Sequence, residues 1–242
     1  GVDFVHHGAT ELIPESAVAF EGMAPFLEAM SSSVSVFDID RDGWPDIFLP
    51  SPRAGSKSAL YVNRHDGTFV ERAEAYGLDR LAAPVRAAFF DCDNDGESEI
   101  LLATYKRPMV LKKGAGGKYE RWFVFPKPNV MTTAFNVFDF DKDSLLDVVL
   151  APLSRSVPNN WHNADNGPGG VVLYKNVGDC QFAEANSSLR ETGVGFTHAL
   201  GIGDLRDQGA QDIWAATDFA VDRIFLQAKD KTYLQTKGLI PD

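Results

Sequence analysis

Asp38-Ile39-Asp40-Arg41-Asp42-Gly43-Trp44-Pro45-Asp46 is the stretch that decides the fold. It lies between two short apolar runs, Val34-Ser35-Val36-Phe37 and Ile47-Phe48-Leu49. Carboxylates stand at positions 1, 3, 5 and 9 of the nonapeptide, and they converge only if the chain wraps tightly around a point. Brought so close they repel one another unless a cation sits among them. Oxygen ligands on a flexible loop suit a hard ion, calcium above all.

The pattern recurs. Asp91-Cys92-Asp93-Asn94-Asp95-Gly96-Glu97-Ser98-Glu99 and Asp139-Phe140-Asp141-Lys142-Asp143-Ser144-Leu145-Leu146-Asp147 are the second and third copies. The candidate metal ligands are Asp38, Asp40, Asp42 and Asp46; Asp91, Asp93, Asp95 and Glu99; and Asp139, Asp141, Asp143 and Asp147. The seventh-position residues Trp44, Glu97 and Leu145 complete the set. An EF-hand also begins D-x-D-x-D-G, but it needs a bidentate Glu at position 12 and helical flanks. Position 12 here is Leu49, Leu102 and Leu150, and the flanks read as buried strands. Each copy is therefore expected to be a calcium-filled β-hairpin turn. Ser144 stands where the turn calls for glycine and needs a left-handed backbone, which weakens the third site.

A fourth copy, Asp204-Leu205-Arg206-Asp207-Gln208-Gly209-Ala210-Gln211-Asp212, has Arg206 at position 3 and Gln208 at position 5. A guanidinium cannot ligate a cation. Arg206 is expected to replace the metal by pairing with Asp204 and Asp212, leaving this loop without an ion.

From first Asp to first Asp the copies recur after 53, 48 and 65 residues, a spacing of stacked supersecondary units. Between loops runs a second element, Ala59-Leu60-Tyr61-Val62-Asn63 through Asp66-Gly67 to Phe69, answered by Val172-Leu173-Tyr174-Lys175-Asn176 through Gly178-Asp179 to Phe182. Weaker echoes are Met109–Lys112 with Tyr119, and Arg223–Leu226 with Tyr233. Each unit reads strand, acidic turn, strand, loop, strand, tight turn, strand, which is a propeller blade. The expected fold is an all-β propeller of four-stranded antiparallel blades in one region spanning 1–242. A lead-in covers 1–33, and blades fall near 34–80, 87–130, 134–196 and 199–242.

On these residues, and on Ala216-Thr217-Asp218-Phe219 leading to Asp222-Arg223-Ile224-Phe225, the chain resembles the FG-GAP/VCBS calcium-binding repeats of integrin-α-like propellers. It is most similar to the ASPIC/UnbV branch that includes cartilage acidic protein, and Gly1-Val2-Asp3-Phe4-Val5-His6 is similar to that branch's lead-in strand. The resemblance implies closure by about seven blades. Four are visible, so the reading is a segment of a longer propeller or one whose open ends meet a partner, with a closed small propeller as the third option.

Composition agrees with the metal reading. The net charge is −11, yet sixteen of the 34 acids lie in the four loops, so the acidity is ligand supply and nucleic acid is a disfavoured partner. No stretch is apolar enough for a transmembrane helix. Cys92, at loop position 2 where Ile39 and Phe140 stand elsewhere, reads as a small buried residue rather than a bridge partner, with Cys180 in a distant repeat. The first residues, Gly1–Val5, read as a strand, so a leader, if one existed, has been removed. Unregulated calcium loops fill outside a cell, and a secreted, periplasmic or cell-surface location follows.

No catalytic constellation is visible. His6 and His7 point to opposite faces of a strand, His65 and His198 have no nucleophile beside them, and no G-x-S-x-G or phosphate loop occurs. The long polar insertion 151–170 carries Trp161 and His162 as candidate partner-binding residues, since an exposed indole offers contact area at low entropic cost. The expected function is a non-enzymatic, exported, calcium-stabilised module for protein–protein interaction or adhesion, or an accessory subunit of an extracytoplasmic complex. The alternative is a carbohydrate-binding lectin or polysaccharide lyase on the same scaffold.

Overall fold

The computed structural model describes residues 33–52, 56–81, 84–127, 131–152, 171–189, 196–218 and 222–237. Lead-in residues 1–32, and Trp161 and His162 with most of their insertion, lie outside these. The described residues form sixteen strands in four antiparallel sheets, each ordered as its strands follow in sequence. The first sheet is β1 (Ser35–Phe37), β2 (Asp46–Leu49), β3 (Ala59–Asn63) and β4 (Phe69–Glu71). Next come β5 (Pro84–Phe90), β6 (Glu99–Thr104), β7 (Met109–Lys113) and β8 (Tyr119–Val124). The third sheet is β9 (Thr132–Phe138), β10 (Asp147–Pro152), β11 (Val172–Asn176) and β12 (Phe182–Glu184). The fourth is β13 (Phe196–Gly203), β14 (Asp212–Asp218), β15 (Arg223–Gln227) and β16 (Tyr233–Lys237). These are four propeller blades, and every acidic nonapeptide connects a blade's first strand to its second.

The chain divides into two compact units. The first comprises 1–91 and 95–124 and holds blades one and two; the second comprises 92–94 and 125–242 and holds blades three and four.

In each unit the apolar strand residues bury a shared core between two blades. Phe48, Leu60 and Val62 of blade one pack with Ile100, Leu102 and Leu111 of blade two, and Ile39 joins them from the acidic loop. In the second unit Val149 and Leu173 pack with Ile213, Ala215 and Phe225, and Phe140 plays the part of Ile39. Position 2 of the first and third loops is thus an apolar anchor.

The tight turns need left-handed residues, and have them. Positions 4 and 6 of all four loops have positive φ: Arg41 and Gly43, Asn94 and Gly96, Lys142 and Ser144, Asp207 and Gly209. Ser144 takes φ 73°, the left-handed backbone its sequence position demanded.

One regularity explains why two of the four repeats echo weakly in sequence. The position-8 carbonyl of every loop accepts a side-chain hydrogen bond, by one of two means. In blades one and three an asparagine ending the third strand supplies it: Asn63 Nδ2 to Pro45 O at 3.2 Å and Asn176 Nδ2 to Leu146 O at 3.1 Å. Blades two and four use a tyrosine opening the fourth strand: Tyr119 to Ser98 O at 2.9 Å and Tyr233 to Gln211 O at 3.1 Å. The pairs Asn/Phe and Lys/Tyr or Gln/Tyr do one job with different letters.

Candidate metal centre

Local chemistry shapes each loop before any ion is considered. The position-1 carboxylate turns the chain by accepting the N–H groups of positions 5 and 6. Asp38 takes Asp42 N at 3.1 Å and Gly43 N at 2.8 Å; Asp91 takes Asp95 N and Gly96 N; Asp139 takes Asp143 N and Ser144 N. The position-5 carboxylate accepts the N–H of position 7, as Asp42 does from Trp44 at 2.8 Å, Asp95 from Glu97 and Asp143 from Leu145. These are short-range turns of the kind acidic side chains favour.

Position 9 does something else. Asp46 accepts Ile39 N at 2.9 Å and Asn63 N at 2.8 Å; Asp147 accepts Phe140 N at 2.9 Å and Asn176 N at 2.8 Å. One carboxylate thus joins the loop's apolar anchor to the end of the third strand. Asp46, Glu99, Asp147 and Asp212 are all buried. Burial pushes the Asp147 carboxyl up to about 7, against the two N–H groups that favour its charge.

The first and third loops gather their carboxylates into clusters fit for a cation. Asp38, Asp40 and Asp42 offer oxygens that all lie within 4.8 Å of one another, as do Asp139, Asp141 and Asp147. In the first, burial and then the charges of Asp42, Asp46 and Asp38 push Asp40 above the usual carboxylate range. The third cluster holds Asp141 Oδ1, a buried oxygen without a hydrogen-bond partner. Crowded oxygens and an orphaned buried acceptor are what a hard divalent ion would satisfy.

Membership differs from the sequence expectation. Asp46 stands outside the first cluster and Asp143 outside the third, where Lys175 bonds both Asp141 and Asp143. The Glu97 carboxylate pairs with Lys113 and Arg41, both at 2.8 Å, and these cations hold it below its ordinary range. Trp44 turns its indole outward and stacks on His65 with centroids 5.1 Å apart. His65 also bonds Asp42, and that hydrogen bond lowers the Asp42 carboxyl. In the second loop Asp91 and Asp95 fall in the first unit, whereas the half-buried Asp93 belongs to the segment 92–94 of the second.

The fourth loop keeps the turn and changes its contents. Asp204 still accepts from Gln208 N and Gly209 N, and Asp212 from Leu205 N and Gln227 N. Arg206 grips Asp212 through Nη2 at 2.8 Å and Nε at 3.3 Å, and gives a further bond to Gln227 O at 2.7 Å. Asp204 receives only the backbone N–H of Arg206, not its guanidinium, because its oxygens already cap the turn.

Two features escaped the sequence. Cys92 and Cys180 form a disulfide, with Cα atoms 5.3 Å apart. This overturns the reading of Cys92 as a plain buried residue: the turn after β11 folds back to the loop's anchor position, and Asn176 Nδ2 donates to Cys92 O at 2.7 Å beside it. Position 4 also reaches out of its own loop in three cases. Arg41 bonds Glu97, Asn94 Nδ2 donates to Ser144 O at 2.9 Å, and Lys142 Nζ donates to Gly209 O at 2.9 Å, each pair within one unit.

Comparison with known proteins follows the same lines. None of the curated proteins matches the chain. Among solved structures, BBS1N, crystallised in complex with ARL6DN and soaked with lead, superposes with a TM-score of 0.52 at 13% identity, over 85% of this chain and 56% of that one. A lectin of Agrocybe aegerita that recognises non-reducing terminal N-acetylglucosamine gives a TM-score of 0.37 at 14% identity, over 86% of this chain and 66% of that one. The chain therefore spans less than two thirds of either protein's length. Residues 38–102, from the first aspartate of the first loop into β6, match the FG-GAP-like repeat, and with the blade architecture this supports an FG-GAP β-propeller.

Proposed function

We propose that this chain is a non-enzymatic, calcium-stabilised propeller module that works outside the cytosol by binding a protein partner. The observation that carries the reading is the pair of carboxylate clusters at Asp38/Asp40/Asp42 and Asp139/Asp141/Asp147, the second with a buried, unpartnered oxygen. In them calcium would be held by the loop carboxylates and would neutralise their repulsion, fixing the hairpins that carry the blades' outer loops. The fourth loop takes no ion, because Arg206 supplies the positive charge. The Cys92–Cys180 disulfide supports an oxidising compartment, secreted, periplasmic or cell-surface, since such bonds are rare where thiols are kept reduced.

A protein partner fits better than a sugar. The exposed indoles among the described residues, Trp44, Trp122 and Trp214, sit on three different blades. BBS1N, which shares the fold, was crystallised with a protein partner. No helix among the described residues is long and apolar enough to cross a membrane. Native mass spectrometry of the protein from its source, in calcium buffer, tests the proposal. The expected result is two or three calcium ions on the chain and a complex well above 26.5 kDa. A chain without calcium at millimolar concentration would remove the metal reading, and a partner-free species that binds glycans would turn the function to the lectin class.

A further inference from the structure

The three acidic loops differ in what stands one residue before the third strand's pinned end. Strand register makes these positions equivalent: Ile47 pairs Tyr61, Ile100 pairs Leu111 and Val148 pairs Tyr174, so Val62, Lys112 and Lys175 correspond. In the third loop Lys175 Nζ bonds Asp141 and lies 2.8 Å from Asp143. Lys112 Nζ in the second lies 3.6 Å from Asp95 and 3.8 Å from Glu99. The first loop has the buried, uncharged Val62 instead, and its one imidazole contact, His65, reaches Asp42 alone.

We propose that Lys175, and more loosely Lys112, are resident counterions of the third and second loops, so that calcium must displace an ammonium there but not in the first loop. The inference rests on the calcium reading of these loops and adds a ranking to it: the first loop binds tightest and the third weakest. Geometry carries it. An ammonium bonded to two carboxylates of a loop stands where a ligated ion needs the same oxygens, and a lysine can swing away because its stem is long and its side chain is 35% exposed. The consequence is functional. Loops two and three keep their folded charge balance without calcium, whereas the first loop depends on the ion and is the one that reports its concentration.

Calcium titration of the intact chain by calorimetry, in metal-stripped buffer, tests this with two opposite variants. Lys175→Met removes the competitor and should tighten the weakest binding event by about five- to tenfold, the scale of a partly exposed ion pair shared between two carboxylates. Val62→Lys installs one and should weaken the tightest event by a similar factor. In chelator, thermal melting of Lys175→Met should fall below that of the parent, because Asp141 and Asp143 then lose the ammonium they share. Uptake of calcium by the parent with a Lys175→Met titration superimposable on it would overturn this ranking and leave the calcium reading standing. A parent chain that takes up no calcium would overturn both.

Discussion

The first and fourth loops are the instructive pair. Their backbones do the same thing: positions 4 and 6 are left-handed, position 1 accepts the N–H of positions 5 and 6, and position 9 joins position 2 to the end of the third strand. Their charges do opposite things. The first crowds Asp38, Asp40 and Asp42 together, and the fourth puts Arg206 against Asp212. The turn is therefore independent of the ion. Positions 1, 6 and 9 make it, and positions 3 and 5 decide what neutralises it.

The sharpest way to break this comparison is Arg206→Met. It leaves the fully buried Asp212 carboxylate without its guanidinium and should cost about 3 kcal/mol or more, equally in calcium and in chelator. Denaturant melts in both buffers read it, and a cost that calcium relieves would mean the fourth loop takes an ion after all. Next is the bridge that neither loop shares. Cys92→Ser with Cys180→Ser should lower stability by about 2–4 kcal/mol, since it opens a closed segment of 88 residues; a change under a tenth of that would make the bridge incidental.

Asp40→Ala with Asp42→Ala should erase the first loop's share of the calcium-dependent stabilisation. For one site that share is about 2.7 kcal/mol when calcium is a hundredfold above its dissociation constant. In chelator the double variant should melt no lower than the parent, because it also removes repulsion. Equal loss in both buffers would make these carboxylates structural. The smallest effect belongs to Ser144→Gly, which relieves a left-handed serine and should gain about 0.5–1 kcal/mol. A loss instead would show that the serine side chain makes a contact the turn needs.

Much of this was legible in the nonapeptides, for a plain reason. A carboxylate at position 1 meets N–H groups four and five residues away, and the apolar residue at position 2 enters the core in the first and third blades. Such relations lie within the reach of a single turn, so nine letters hold them. The paired strands, the turn glycines and the misfit at Ser144 follow from the same short range. The tyrosine-opened blades read more faintly, because Tyr119 and Tyr233 satisfy from the fourth strand a carbonyl that Asn63 and Asn176 satisfy from the third.

Spacing within the motif marked out twelve acidic positions and the all-β repeat, and it also placed a cation-replacing Arg206 in the last copy. Tertiary structure alone decided what meets these carboxylates from beyond their own loop. Asp46 takes the N–H of Asn63, seventeen residues on, Lys175 meets Asp141 and Asp143, and Arg41 from the preceding blade pairs with Glu97. It likewise joined Cys92 to Cys180 across 88 residues. Each of these depends on which strand ends arrive beside the loop, a matter of sheet register and blade packing, and no local spacing encodes the neighbour that arrives.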